Sequence, residues 1–136
     1  MDSALLDTDI LSEILKLRDP TVRQKALDYT QVHGQLAFSS MTRYEILRGY
    51  HDQNAVTQLA RFAVFCQHAI VFAITDAIFD RAVDLWVIGR RGGHPHNDAD
   101  ILIAATALEH GRVLVTGNTS HFFWIPGLRL DDWRQQ

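Results

Sequence analysis

The chain has 136 residues, enough for one domain with a substantial core and too few for two. Its 47% hydrophobic and 21% charged residues are ordinary for a globular protein, and no apolar run is long enough to span a bilayer. A single cysteine, Cys66, excludes an internal disulfide, and a net charge of −3 does not advertise a nucleic-acid binder.

The first elements read as Ala4–Leu6, a short buried strand, then a helix from Asp9 to about Leu17 with Ile10, Leu11, Ile14 and Leu15 on one face. Asp9 is the expected cap. No basic, apolar leader precedes the strand, so no signal peptide is expected. Pro20 suits the first turn of a second helix, with Val22, Ala26, Tyr29 and Val32 inward and His33-Gly34 at its end. Gln35–Ser39 follows as strand two, and Ser40 or Thr42 can cap a helix carrying Tyr44, Glu45, Leu47 and Arg48.

Ala55, Val56, Leu59, Phe62, Ala63 and Cys66 then mark a strong amphipathic helix, with Cys66 as a core thiol in a reducing, cytoplasmic setting. Ala69–Ile74 is strand three. Thr75 caps a helix turning Ile78, Ala82, Leu85 and Trp86 inward, and Gly89–Asn97 reads as a loop rich in Gly, Arg and His. Asp98-Ala99-Asp100 opens a nearly all-apolar, buried helix, Ile101–Leu108. Val113–Val115 is strand four and Leu128–Leu130 a short fifth. Strands separated by helices imply an α/β fold, a mostly parallel sheet of four to five strands with helices on both faces, in one domain over residues 1–136.

Most acids occupy polar helix faces. Three do not: Asp7 ends strand one, Glu45 lies early in the helix after strand two, and Asp100 opens the apolar helix before strand four. In an open α/β sheet these places converge on one edge, where ligands bind. Carboxylates gathered there repel unless a cation relieves them, and oxygen ligands suit Mg²⁺ or Mn²⁺. Such an ion lowers the pKa of bound water and takes up phosphodiester charge, so metal-dependent phosphodiester hydrolysis is the expected reaction class. It also neutralises phosphate locally, so few arginines are needed around it.

Taken in order, LLDTDIL, SSMTRYEILRG, DADILIAATALEHG, VLVTGNTSHF and IPGLRLDDW resemble the PIN-domain ribonucleases, in particular VapC-type toxins of prokaryotic toxin–antitoxin pairs. The resemblance spans nearly the whole chain. It implies a three-layer α/β/α domain and Mg²⁺-dependent endoribonuclease activity, commonly on transfer or ribosomal RNA. It also implies dimerisation and inhibition by a cognate VapB-like antitoxin. By position, Asp7 and Asp100 match the metal-binding acids, Glu45 the acid of the third segment, and Thr116 and Asn118 the polar loop after strand four. Many members carry a fourth acid where this chain has His121. Asp98 either replaces that acid or is a plain helix cap.

Glu45 can bind metal directly, bind it through water, act as general base, or pair with Arg48. Arg43, Arg48, Arg90 and Arg91 are candidates to hold RNA phosphates, the last two in a basic, Gly-rich loop upstream of Asp100. His94 and His96 flank Pro95, but no cysteine or clustered third histidine supports a transition-metal site there. Phe123, Trp124 and Trp133 are expected to pack on the last strand. The Val56-Leu59-Phe62-Ala63 strip is core or, by the resemblance, part of an antitoxin groove. Two rivals stand beside the nuclease. One is a haloacid-dehalogenase-like phosphatase starting at Asp7-Thr8-Asp9, whose further Lys is hard to place with only Lys16 and Lys25 available. The other is a PIN-like module that binds without cleaving.

Overall fold

The computed structural model describes residues 1–135. In chain order the elements are β1 (Ala4–Leu6), α1 (Thr8–Lys16), α2 (Pro20–His33), β2 (Ala37–Ser39), α3 (Ser40–Asp52), α4 (Val56–Gln67), β3 (Ile70–Phe72), α5 (Asp76–Arg91), α6 (Asp98–Glu109), β4 (Val113–Val115) and β5 (Leu130–Asp131), with a 3₁₀ turn at Thr119–His121. The five strands form one sheet in the order β3-β2-β1-β4-β5, and every pairing is parallel. The expected α/β architecture is present.

Strand alternation divides the interior into two layers. Ala4 and Leu6 of β1 join Ile10, Val22, Tyr29, Phe38, Phe62 and Trp133 on one face. Leu5 points the other way, into Ile78, Leu85, Ile103, Leu114 and Phe122. Helices α1, α2 and α4 thus cover one side and α5 and α6 the other, which is why α6, packed along α5 and the sheet, buries six of its residues. The chain leaves β1 toward β2 and β3 and later returns to the opposite flank for β4 and β5. The order reverses between β1 and β4, and the carboxyl ends there form the crevice in which such sheets bind ligands.

Several local expectations change. Asp7, not Asp9, caps α1 and accepts from Thr8 N, while Leu17 in the left-handed region ends the helix. Ser39 caps α3 by accepting from Thr42 N, so neither Ser40 nor Thr42 holds that position. Thr75 caps α5 as expected, but α5 continues through Arg91, three residues into the expected loop. Val32 and Val56 face outward, and Trp86 is 40% exposed. The third strand is shorter than expected and only half-buried, because β3 lies at the sheet edge. The fifth strand falls at Leu130–Asp131, later than Leu128–Leu130. Cys66 is half-buried against the first core layer. Among the described residues no helix is long and apolar enough to cross a membrane.

Candidate active site

Asp7 continues the β1 ladder by donating its N–H to Val115 O at 2.8 Å, and its side chain then caps α1. Its Oδ1 accepts from Thr8 N at 2.8 Å and its Oδ2 from the Thr116 hydroxyl at 2.7 Å. Thr116 Oγ1 in turn accepts from Asn118 N at 3.0 Å. Asp7 is 5% exposed, and burial, reinforced by the charges of Asp9 and Asp100, pushes its carboxyl up to about 7.

Asp100 lies in the first turn of α6, where Asn97 supplies the cap. Burial raises its pKa, helped by the charges of Glu45 and Asp9 and opposed by His121. His121 Nδ1 stands 3.6 Å from Asp100 Oδ2. Glu45, in the second turn of α3, accepts from the Thr8 hydroxyl at 2.7 Å through Oε1 and faces Arg48 Nη2 at 3.6 Å through Oε2. Thr8 Oγ1 also lies 3.0 Å from Thr42 Oγ1, so α1 and α3 meet across the site through hydroxyls.

Asp7, Thr8, Asp9, Glu45, Asp100 and Asn118 line one open cleft of about 760 Å³. Lys16 and Arg61 stand on its wall. The three acids from distant segments therefore share a single cavity. Among the described residues no three His, Cys, Asp or Glu side chains are drawn close enough to hold an ion as they stand. The donors nevertheless fit a hard cation. They are carboxylate oxygens, two of them are destabilised as anions by burial and by neighbouring acids, and a divalent charge relieves both.

Other expected residues are distributed differently. Thr116 is buried behind Asp7, and Asn118 is exposed at the cleft rim. Asp98 is not brought into the cleft. It is exposed at the start of α6 beside an apolar cavity of about 330 Å³ lined by Phe79, Val83, Trp86 and Leu102. Nor is Asp98 the cap, a position Asn97 holds. Arg43 lies beside the Cys66 thiol and does not line the cleft. Arg48 covers the Tyr44 ring at 5.1 Å while paired with Glu45. Arg90 and Arg91 sit in the last turn of α5, not in a loop, and Arg90 lies over Trp86 at 5.4 Å. His94 stacks on Trp124 with ring centroids 5.3 Å apart, a packing role for that imidazole. Trp133 is buried against Tyr29 of α2, and Phe123 is 69% exposed and does not pack on the last strand.

The sequence profile of the PIN domain matches residues 4–123. The chain belongs to the PIN-domain family. Among relatives of this PIN domain, the tRNA(fMet)-specific endonuclease VapC of Shigella flexneri is 28% identical over 130 residues, covering 95% of this chain and 96% of that protein. The DNA-bound VapBC of Salmonella typhimurium superposes with a TM-score of 0.87 at 27% identity, over 98% of this chain and 99% of that one. A toxin–antitoxin complex from Klebsiella pneumoniae matches with a TM-score of 0.71 at 28% identity, over 96% and 98% of the two chains.

Three residues of this PIN domain's site escaped the sequence reading. Thr8 stands before the expected helix with no role assigned, yet its hydroxyl holds Glu45. Asp9 reads as a cap, yet its Oδ2 accepts from Gly117 N at 2.9 Å. Arg134 lies beyond the last strand, yet it donates to Gly117 O. The alternating acids of Asp7-Thr8-Asp9 were the one visible signal, because residues two apart at a helix start cannot both cap it.

Proposed function

We propose that this PIN domain is a Mg²⁺- or Mn²⁺-dependent endoribonuclease, the toxin of a VapBC-type pair, acting on transfer or ribosomal RNA and neutralised by a VapB-like antitoxin. The observation that carries the reading is the buried Asp7 carboxyl, pushed up to about 7 and facing Asp100 and Glu45 across one cleft at the switch point of the sheet. The relatives named above are an RNA endonuclease and toxin–antitoxin complexes, which supports both substrate and partner.

Asp7 and Asp100 would hold the cation. Bound there, it supplies a lower pKa to water and positive charge for a phosphodiester oxygen. Thr116 and Thr8 N–H fix the Asp7 carboxylate, so only its orientation toward the cleft remains. Glu45, steadied by the Thr8 hydroxyl, orients the attacking water and takes its proton. Lys16 and Arg61 on the wall, and Arg48 beside Glu45, meet RNA phosphates; Arg90 and Arg91 at the end of α5 extend that contact. On α4, Val56 and Val64 are 74% and 55% exposed and offer apolar contact to the antitoxin. Phe79, Val83 and Trp86 along α5 offer a face for a second copy in a homodimer.

The deciding experiment incubates purified protein with transfer and ribosomal RNA, with Mg²⁺ or with a chelator. Cleavage is expected only with the metal and not in Asp7→Asn. Retained cleavage by Asp7→Asn overturns the reading. Rapid turnover of small phosphomonoesters with RNA intact supports the phosphatase instead, and RNA binding without cleavage supports the binding module.

A further inference from the structure

The loop after β4 is held by a clamp that the chemistry described so far does not use. Asp9 Oδ1 accepts from Ile10 N at 2.8 Å, which anchors the side chain to α1. Its Oδ2 accepts from Gly117 N at 2.9 Å and lies 3.4 Å from Asn118 Nδ2. On the other side of the same residue, in the next peptide group, Arg134 Nη2 donates to Gly117 O at 2.5 Å. Arg134 is itself fixed by Asp132, which accepts from its Nε at 3.2 Å and its Nη2 at 3.1 Å, and from its backbone N at 2.9 Å. Asp132 is 8% exposed; burial opposes its charge, but hydrogen bonds and charge from Arg134 hold its carboxyl below the usual range.

Both groups grip Gly117 so closely that any side chain there would push them aside. A Cβ on Gly117 would lie 2.5 Å from Arg134 Cζ and 2.6 Å from Asp9 Oδ2. The gripped residue stands between Thr116, whose hydroxyl fixes Asp7 Oδ2, and Asn118, which reaches the cleft rim. Asp9 and Arg134, from opposite ends of the chain, thus set the path of the one loop that orients Asp7.

We propose that Asp9 and Arg134 are positioning residues: they clamp the two peptide groups flanking Gly117 so that Thr116 presents the Asp7 carboxylate to the cation. The proposal rests on the nuclease reading above. It explains why an acid sits two residues from Asp7 despite repelling it. Both Asp9 oxygens accept hydrogen bonds, one from Ile10 N in α1 and one from Gly117 N in the loop, which ties the two segments together. Partners that orient metal ligands commonly contribute 10- to 100-fold in affinity.

The test uses the full chain in three forms: parent, Arg134→Ala and Asp9→Asn. Asparagine keeps one oxygen to accept from Gly117 N, and removes the charge and the second acceptor that Ile10 N uses. Amide hydrogen exchange without metal reads the clamp, and Mn²⁺ binding followed by electron paramagnetic resonance reads its effect on the site. In Arg134→Ala, exchange at Gly117 and Asn118 is expected to rise while Leu114 and Val115 stay protected. Mn²⁺ affinity is expected to fall by about tenfold or more, within the range for such partners. Asp9→Asn is expected to retain most of that affinity. A rise in exchange at Leu114 and Val115 as well would mean general loosening and would overturn the proposal. So would parent-like Mn²⁺ affinity in Arg134→Ala, or unchanged exchange at Gly117. If the parent itself binds no Mn²⁺, the functional reading falls and the positioning role falls with it, whereas the exchange result still reports on the clamp.

Discussion

Asp7 illustrates how one side chain can be costly to the fold and necessary to the site. Its unfolded carboxyl titrates near 3.8 and its folded one near 7. Between about pH 4 and pH 7 the folded protein therefore binds a proton that the unfolded chain has released. Stability must fall as pH rises through that window and level off above it. At about 1.4 kcal/mol per pKa unit the loss is a few kcal/mol. Asp7→Asn keeps an oxygen for the Thr8 N–H and removes the charge. In chelator, its melting temperature should match the parent near pH 4 and exceed it increasingly up to pH 7. Thermal scans across that range check this; a constant offset at all pH values would show that burial of Asp7 is not the cause. The acid's chemical type and its place after an apolar strand were legible from residues alone. Thr116, 109 residues away, was expected in the polar loop by the family resemblance, but its bond to Asp7 was not readable, because that hydrogen bond exists only once β1 and β4 pair.

Among the elements, α5 and α6 show what periodicity can and cannot supply. The buried set Ile78, Ala82 and Leu85 follows helical spacing and was readable. The end of α5 was not. Gly89 reads as a breaker, yet it is buried inside the helix because His96 and Trp124 press on it. A Cβ there would lie 2.7 Å from both rings. Gly89→Ala should gain up to about 1 kcal/mol in helix propensity. It should lose about 1–3 kcal/mol to overpacking, so the expected net effect is destabilising. A melting temperature lowered by several degrees, with an altered near-ultraviolet signal from Trp124, is the expected result. An unchanged or raised melting temperature would mean that the rings yield freely. The same packing folds residues 92–97 back over Trp124, which is why Arg90 and Arg91 are helical and not on a mobile loop.

At the scale of the molecule, the cleft exists because β1 and β4 are neighbours while the chain runs through β2 and β3 between them. That arrangement brings residues 7, 45, 100 and 118 to one edge. A cation that binds only the folded form must stabilise the whole domain by RT ln(1 + [L]/Kd), about 2.7 kcal/mol at a hundredfold excess over Kd. Mn²⁺ or Mg²⁺ should thus raise the melting temperature of the parent at pH 7.5, and chelator should reverse the rise. Asp100→Ala should show no such response while remaining folded. A metal response in Asp100→Ala equal to the parent's would place the ion elsewhere.

By itself, the order of residues determined the alternation of strand and helix, the three outlying acids and the likeness to a nuclease family. These are carried by local periodicity, by where polar groups interrupt apolar runs, and by short contiguous motifs. Only the tertiary structure decided which acid caps α1, that Asp98 and Arg43 stand away from the cleft, and that Asp9 and Arg134 both grip Gly117. Each of those depends on contacts between segments far apart in the chain, whose geometry is set by strand pairing and by the direction in which packed side chains must point.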